Sequence, residues 1–489
     1  MSDRLRPRDL GLLALETGSS PMHNATVEIF DPGDSGFDYA NLVSLIGDRI
    51  SFVPRYRQRL VRVPGRLANP AWVDDPDFDL AYHVRRSALP RPGSHDQLRE
   101  LVARIISRPL DRHRPLWEVY FVEGLEGGRV AVLAKSHQVL VDGVDTVDLG
   151  QVLLDTVPEP KAMEYDQWRP RGRPTSAGMV AEALADTLQH PSTALSTAVA
   201  TTESAVRTAV HALAKAGELS SALAGRRPVH ESPINWPLSQ QRRFVTVKTS
   251  LADYRTVRKA HGGTVNDVIL ATVAGAVRTW LMTRAESLGG LRKLRVIVPM
   301  SVIDDELEAT SLGTQITGHL VDLPIGEASP VVRLHQVSYS FRAHRETSRA
   351  VAANRLAGIA GFAPTTFHAL GARLAADELR TGFQLSVTNV PGPQFPLYAA
   401  GAQMLETYPV PPLLPQHALA IGVTSYDNNV YYGITADRDA LPDVDVLGDC
   451  LTEALVELVD TTSGTRTRAP RGRRTPPKKS ASRAQGRKS

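Results

Sequence analysis

The segment "AKSHQVLVDGVDTVDLG" (134–150) sets one histidine, His137, directly before Gln138, and a short apolar run then leads to Asp142 and Gly143. No serine or cysteine nucleophile motif accompanies them. Such a set suits acid–base chemistry without a protein nucleophile. An imidazole can take the proton of a bound alcohol, so that the substrate supplies the attacking oxygen. Asp-Gly is a strong turn signal: Asp142 reads as a carboxylate that holds the loop by an ion pair or hydrogen bonds, and Gly143 permits the tight bend. A lone His beside an apolar strand is more often structural than catalytic, so the surrounding elements have to decide.

"VAVLAKSHQ" reads as a strand ending at His137, and "VDGVDTVDLGQVLLDTV" as a turn followed by a helix bearing Val144, Val147, Leu149 and Leu153. A polar residue at a strand end beside a helix start commonly lies in a cleft. Short β-branched runs at 25–30, 129–135, 294–300 and 429–435 alternate with helical patterns, which predicts a mixed α/β (α+β) architecture with sheet in both halves. At 489 residues the chain exceeds one small core and predicts two domains. Between them, 158–176 is rich in Pro and charge, and 178–225 reads as helical. There Val199, Val206, Val210 and Leu213 form one apolar stripe, either a connector packed across two domains or a lipid-surface helix.

Composition narrows the function classes. Hydrophobic residues make up 42% and charged residues 22%, a globular balance. No run of ~18 apolar residues and no apolar N-terminal region is present, so the expectation is a cytoplasmic protein whose membrane contact is peripheral. Cys450 is the sole cysteine, which excludes an intrachain disulfide and a multi-thiolate zinc site. None of the fourteen histidines has HExxH spacing, and neither a metal nor a cofactor is expected. After Thr465 come ten Lys/Arg and no Asp/Glu; with +4 overall, the body carries −6. That tail should not fold alone, and it reads as a solvated extension, a tether to an anionic membrane, or a nucleic-acid contact. The mildly acidic body argues against specific nucleic-acid recognition.

Several further segments, in order, carry a family resemblance: "LETGSSPMHNATVEIF" (15–30), "VPRYRQRL" (53–60), "FDLAYHVRRSALPRPG" (78–93), "RPLDRHRPLWEVYFVEGL" (108–125), "GGTVNDVILATVAGAVRTWL" (262–281), "LRVIVPMSV" (294–302), "SVTNVPGP" (386–393) and "YDNNVYYGITADRDALPD" (426–443). Together they resemble the bacterial, actinobacterial-type wax ester synthase/diacylglycerol acyltransferases, in the superfamily of chloramphenicol acetyltransferase and the condensation domains. The resemblance implies two chloramphenicol-acetyltransferase-like domains, each a mixed sheet with flanking helices, at 1–157 and 234–463. A Pro-rich linker and helical connector at 158–233 would join them, with a disordered basic tail at 464–489.

The resemblance also implies an acyl-CoA-dependent O-acyltransferase. Its co-substrate would be acyl-CoA, its acceptor diacylglycerol or a long-chain alcohol, its products triacylglycerol or wax ester, and its surroundings an anionic membrane or lipid droplet. The family motif is His-His-x-x-x-Asp-Gly, which falls here on His137, Gln138, Asp142 and Gly143. Gln138 therefore occupies the family's general-base position, and an amide has no titratable nitrogen. On an unchanged strand His137 would face away from the substrate channel, and a bulge after Lys135 would swing it in. Catalysis by a rearranged His137, catalysis by positioning alone, and a weakened or inactive acyl-CoA-binding relative are the three outcomes. Asn266 and Asp267 would face the motif across the channel, Asn266 as a hydrogen-bond donor; Thr264 and Asp267 also read as a capping box. Asn389, Pro391 and Gly392 would line the channel or only shape the backbone.

Overall fold

The computed structural model of the chain describes residues 3–64, 68–140, 149–160, 168–172, 175, 177–178, 180–181, 234–284, 292–302, 315–347, 368, 372–373, 375–376 and 382–463. Asp142 and Gly143, the stripe of Val199, Val206, Val210 and Leu213, and the basic tail lie outside the described residues, as does most of the linker and connector.

Fourteen strands are described: β1 (His23–Asp31), β2 (Gln58–Val61), β3 (Ala71–Asp74), β4 (Val84–Ala88), β5 (Trp117–Glu123), β6 (Val130–His137), β7 (Arg242–Ser250), β8 (Leu294–Val302), β9 (Gln315–Leu323), β10 (Leu385–Pro391), β11 (Tyr398–Ala399), β12 (Ala402–Val410), β13 (Leu419–Tyr426) and β14 (Asn429–Asp437). They form one sheet in the order β11-β12-β1-β6-β5-β4, another in the order β7-β14-β13-β10-β8-β9, and the β2-β3 ribbon. The expected mixed α/β architecture in two halves is what the structure has.

The sheets do not divide where the sequence does. β11 and β12 come from the C-terminal stretch, yet β12 runs antiparallel to β1 from Ala25↔Val410 to Asp31↔Gln403 and completes the first sheet. The reason is an uncovered edge: β1 would otherwise present unpaired N–H and C=O groups. β12 also passes tightly over the second sheet. A Cβ on Gly433 would sit 1.7 Å from the Pro409 carbonyl oxygen, and one on its cross-strand partner Gly422 2.9 Å from the Pro409 ring. Only a pair of glycines leaves room for that crossing.

β1 is buried along its first eight residues. Ala25, Val27 and Ile29 on one face join the apolar core of the first half. The other face carries Asn24, Thr26 and Glu28, three buried polar residues opposite Ser136, Ala134 and Val132 of β6. A polar face that is nonetheless covered by protein marks a junction rather than a dry core.

Two helices matter for the site. His95–Ile106 starts at a capping box between Ser94 and Gln97 and buries Leu98, Val102, Ala103, Ile105 and Ile106. Its C-terminal carbonyls, Ile105 O and the following Arg108 O, accept from the buried Lys135 ammonium at 3.2 and 2.6 Å. Val265–Thr283 is apolar around its circumference and long enough to cross a membrane, but 72% of its apolar window is buried and it forms the centre of the second core.

Candidate active site

The strand end that carries the motif is held by its backbone on both sides. His137 N–H donates to Leu116 O at 2.9 Å, and Gln138 N–H to Met22 O at 3.0 Å. Leu116 belongs to the Pro-Leu-Trp element, whose Trp117 is buried, donates its indole N–H to Tyr56 O at 2.7 Å and stacks on His83 at 4.6 Å. The β1–β6 ladder runs without interruption through Ala25↔Lys135, Asn24↔Ser136 and His23↔His137. No bulge after Lys135 turns His137 around.

The His137 ring is engaged where it lies. Its Nδ1 accepts the Val139 N–H at 3.1 Å, which assigns the proton of the neutral ring to Nε2, and Nε2 faces Glu16 Oε2 at 3.5 Å. Glu16 also takes the Arg112 Nε–H at 2.8 Å and the Met22 N–H at 3.3 Å. Burial works to raise the Glu16 carboxyl, but His137 and Arg112 outweigh it and bring it down to about 2. Beside this pair, burial together with Lys135 and His137 pushes His23 well below its ordinary value, so His23 is neutral. His137 thus ties the turn after β6 to the first helix-to-strand connection. Neither ring nitrogen is left as a free base toward a substrate.

Gln138 opens a 3-10 turn, Gln138–Leu140, and is wholly buried. Its backbone carbonyl accepts from Arg373 Nη1 at 3.2 Å, and Arg373 also pairs with Asp9. The two polar atoms of its side-chain amide have no hydrogen-bond partner among the described residues. An amide so placed can both donate and accept toward a bound group.

The structure brings Asn266 and Asn389 together: Asn389 Nδ2 donates to Asn266 Oδ1 at 2.8 Å. Asp267 does what the capping reading says. Its Oδ2 accepts the Thr264 N–H at 2.9 Å and the Ser338 hydroxyl at 3.1 Å, and its own N–H donates to Thr264 Oγ1 at 3.1 Å. Pro391 runs in parallel register with Ser425, and Gly392 N–H donates to Ser425 O at 2.9 Å, so β13 sets the shape of this turn. Among the described residues no hydrogen bond joins the Asn266–Asn389 pair to His137 or Gln138.

Sequence reasoning did not single out Glu16, Arg112, Asn24, His368 or the Arg373–Asp9 pair. The alternation Asn24, Thr26, Glu28 within an otherwise apolar strand was the available signal for the first sheet's polar face; His368 and Arg373 carry no local signal at all. A cleft of about 1120 Å³ opens between His95–Ile106 and β7. Its charges are of both signs, and some are paired within it, Arg243 with Asp445 and Arg99 with Asp96. Among the described residues no cluster of His, Cys, Asp or Glu is arranged to hold a metal ion.

Comparison with known proteins gives consistent matches along the chain. The family model described as the wax ester synthase/diacylglycerol acyltransferase catalytic domain matches residues 5–269, and the WS/DGAT C-terminal domain matches 312–459. The probable diacylglycerol O-acyltransferase tgs3 of Mycobacterium tuberculosis (strain CDC 1551 / Oshkosh) is 41% identical over 261 residues, 53% of this chain and 96% of that protein. The probable diacylglycerol O-acyltransferase tgs1 of Mycobacterium tuberculosis (strain ATCC 25618 / H37Rv) is 33% identical over 423 residues, 86% of this chain and 88% of that protein. Among solved structures, the wax ester synthase/diacylglycerol acyltransferase from Marinobacter aquaeolei VT8 aligns with a TM-score of 0.66 and 26% identity, covering 94% of this chain and 100% of the other. Nothing in these matches favours an inactive, merely lipid-binding relative.

Proposed function

This chain belongs to the wax ester synthase/diacylglycerol acyltransferase family, and from that premise we propose that it moves a long-chain acyl group from CoA to the hydroxyl of a lipid alcohol. Diacylglycerol would give triacylglycerol, and a fatty alcohol would give wax ester. The observation that carries this reading is the family match over both halves, 5–269 and 312–459. The acceptor oxygen attacks the thioester carbonyl carbon, the tetrahedral oxyanion is held by hydrogen-bond donors, and the C–S bond breaks to release CoA. No acyl-enzyme is required.

In this reading His137 is scaffold: with Glu16 and the Val139 N–H it fixes the turn on which Gln138 sits. The Gln138 amide, without a hydrogen-bond partner among the described residues, is a donor for the oxyanion. The Asn266–Asn389 pair, with Pro391 and Gly392, belongs to the channel wall on the second half. The protein works in the cytoplasm, peripheral on an anionic membrane face or lipid droplet, supported by the ten basic residues after Thr465 and by the insolubility of the acceptor.

The test is thiol release from purified protein given oleoyl-CoA, with and without dioleoylglycerol or hexadecanol. Acceptor-dependent CoA release with a matching ester product is expected. A folded protein that binds oleoyl-CoA and forms no ester on either acceptor overturns the reading.

A further inference from the structure

β6 has a second face. Opposite the one that carries His137, Ser136 lies in register with Asn24 of β1 and Trp117 of β5, and these three border a recess of about 30 Å³. The far wall is His368, from the second half of the sequence. Asn24 is 7% exposed and neither of its amide atoms has a partner; His368 is 5% exposed and neither of its ring nitrogens has one, among the described residues. Leaving a buried polar group unsatisfied costs about 1–3 kcal/mol. Two such groups facing one recess imply that something polar completes them, and the space suits one water-sized group. An alcohol hydroxyl is such a group.

The imidazole is also fastened to the motif. His368, Ala372 and Arg373 are each helical. Arg373 reaches from there to the Gln138 carbonyl at 3.2 Å and to Asp9. His368 precedes Arg373 by only five positions in the sequence, so the contacts that hold Arg373 on Gln138 and Asp9 keep His368 within a short length of chain of the motif. The basic side chains at this end of β6, Lys135 and His137, are committed elsewhere. Lys135 borders the recess, but its ammonium is given to the Ile105 and Arg108 carbonyls. His137 is on the opposite face with Nδ1 occupied.

We propose that His368 is the general base of the acyl transfer, delivered across the junction of the two halves to supply the imidazole that the motif lacks at Gln138, with Asn24 as hydrogen-bond partner of the acceptor hydroxyl. The assignment rests on the acyltransferase reading above. A neutral His368 nitrogen takes the acceptor's O–H proton as that oxygen bonds to the thioester carbonyl carbon. The tetrahedral intermediate then collapses with loss of the C–S bond, and the departing CoA thiolate takes the proton from the imidazolium, which returns the ring to neutral. Burial holds the His368 imidazole down at about 3, so the ring is in the proton-accepting form at neutral pH. The polar hydroxyl and the negative charge that develops on the carbonyl oxygen both favour the imidazolium, and its basicity rises as the reaction proceeds.

The experiment uses the full chain, oleoyl-CoA and dioleoylglycerol in mixed micelles, with thiol release and oleoyl-CoA binding measured on each protein. His368→Gln keeps hydrogen-bonding capacity without a titratable nitrogen, and His368→Phe keeps the volume of a buried ring should the glutamine destabilise the fold. Both should lose about 10²-fold or more in acceptor-dependent release and bind oleoyl-CoA as the parent does. Adding Gln138→His to His368→Gln should restore most of the lost rate, because a base is returned to the family's own position. Either single variant keeping more than about a third of the parent rate overturns the proposal. So does a loss that Gln138→His leaves unrestored, which would assign His368 to structure. A parent that binds oleoyl-CoA and releases nothing with any acceptor overturns the acyltransferase reading itself, and that result is read before any variant.

Discussion

Glu16→Gln removes one charge from the network that fixes the turn after β6, and the size of the effect follows from its surroundings. The carboxylate is 5% exposed, with Arg112 Nε at 2.8 Å and His137 Nε2 at 3.5 Å. Its acidity is displaced from 4.5 to about 2. At 1.36 kcal/mol per pH unit that gap corresponds to about 3 kcal/mol of folding free energy. Arg112 is 40% exposed, so solvent screens part of its share, and about 2 kcal/mol is the expected loss. Because the folded carboxyl is the more acidic, the contribution is complete above the unfolded value near 4.5 and disappears as pH falls through about 2. Urea midpoints of parent and Glu16→Gln, followed by tryptophan fluorescence, should therefore differ by about 2 kcal/mol at pH 7. The difference should be smaller at pH 3.5 and close to nothing near pH 2. A difference that stays constant from pH 7 to pH 3 would mean that shape rather than charge is at work, and equal midpoints at pH 7 would refute the ion-pair reasoning outright.

His137→Gln should cost stability more than turnover: losing the Nδ1 acceptor orphans the buried Val139 N–H, worth about 1–3 kcal/mol, while CoA release should stay within about 5-fold of the parent. Urea midpoints and thiol release measured side by side check this. Gly433→Ala should yield little soluble protein, because its Cβ would lie 1.7 Å from the Pro409 carbonyl oxygen and β12, a strand of the first sheet, would have to lift off the second sheet that it crosses; soluble yield and circular dichroism report it, and a well-folded variant would contradict the crossing. Removal of 466–489 should weaken cosedimentation with phosphatidylglycerol vesicles at low salt without changing turnover on soluble short-chain substrates, since ten basic residues are lost from a body of charge −6. Equal vesicle binding by both forms would exclude the tether.

How much of this was legible in the sequence differs from element to element. Thr264 and Asp267 could be read as a helix start because a capping box is a local device, and the hydrogen bonds at 3.1 and 2.9 Å are those the spacing calls for. The outward turn of His137 was legible for the same reason: strand alternation is local, and no bulge interrupts it. What holds the ring was not legible, because Glu16 and Arg112 are 96 residues apart and nothing in either neighbourhood announces the other. The domain division illustrates the limit from another side. Residues 402–410 have an ordinary strand pattern, and a pattern states that a strand forms, not which sheet it completes; only the open edge of β1 decides that.

The same limit bears on the catalytic group. The family resemblance of the sequence motif points to the residue that follows His137 for the base, and Gln138 then reads as a loss. Physical chemistry requires only that an imidazole reach the acceptor hydroxyl, from any part of the chain. Alternation along β6 puts Ser136 on the face that His137 avoids, and register brings Asn24 and Trp117 beside it. The chain that closes that recess comes from residue 368, more than 200 positions later, and Arg373 anchors it to the carbonyl of the very residue that lacks the base. A substitution that looks inactivating along the strand is therefore compatible with an active enzyme in three dimensions, and the relocation of the base between positions 138 and 368 is the feature that distinguishes the two.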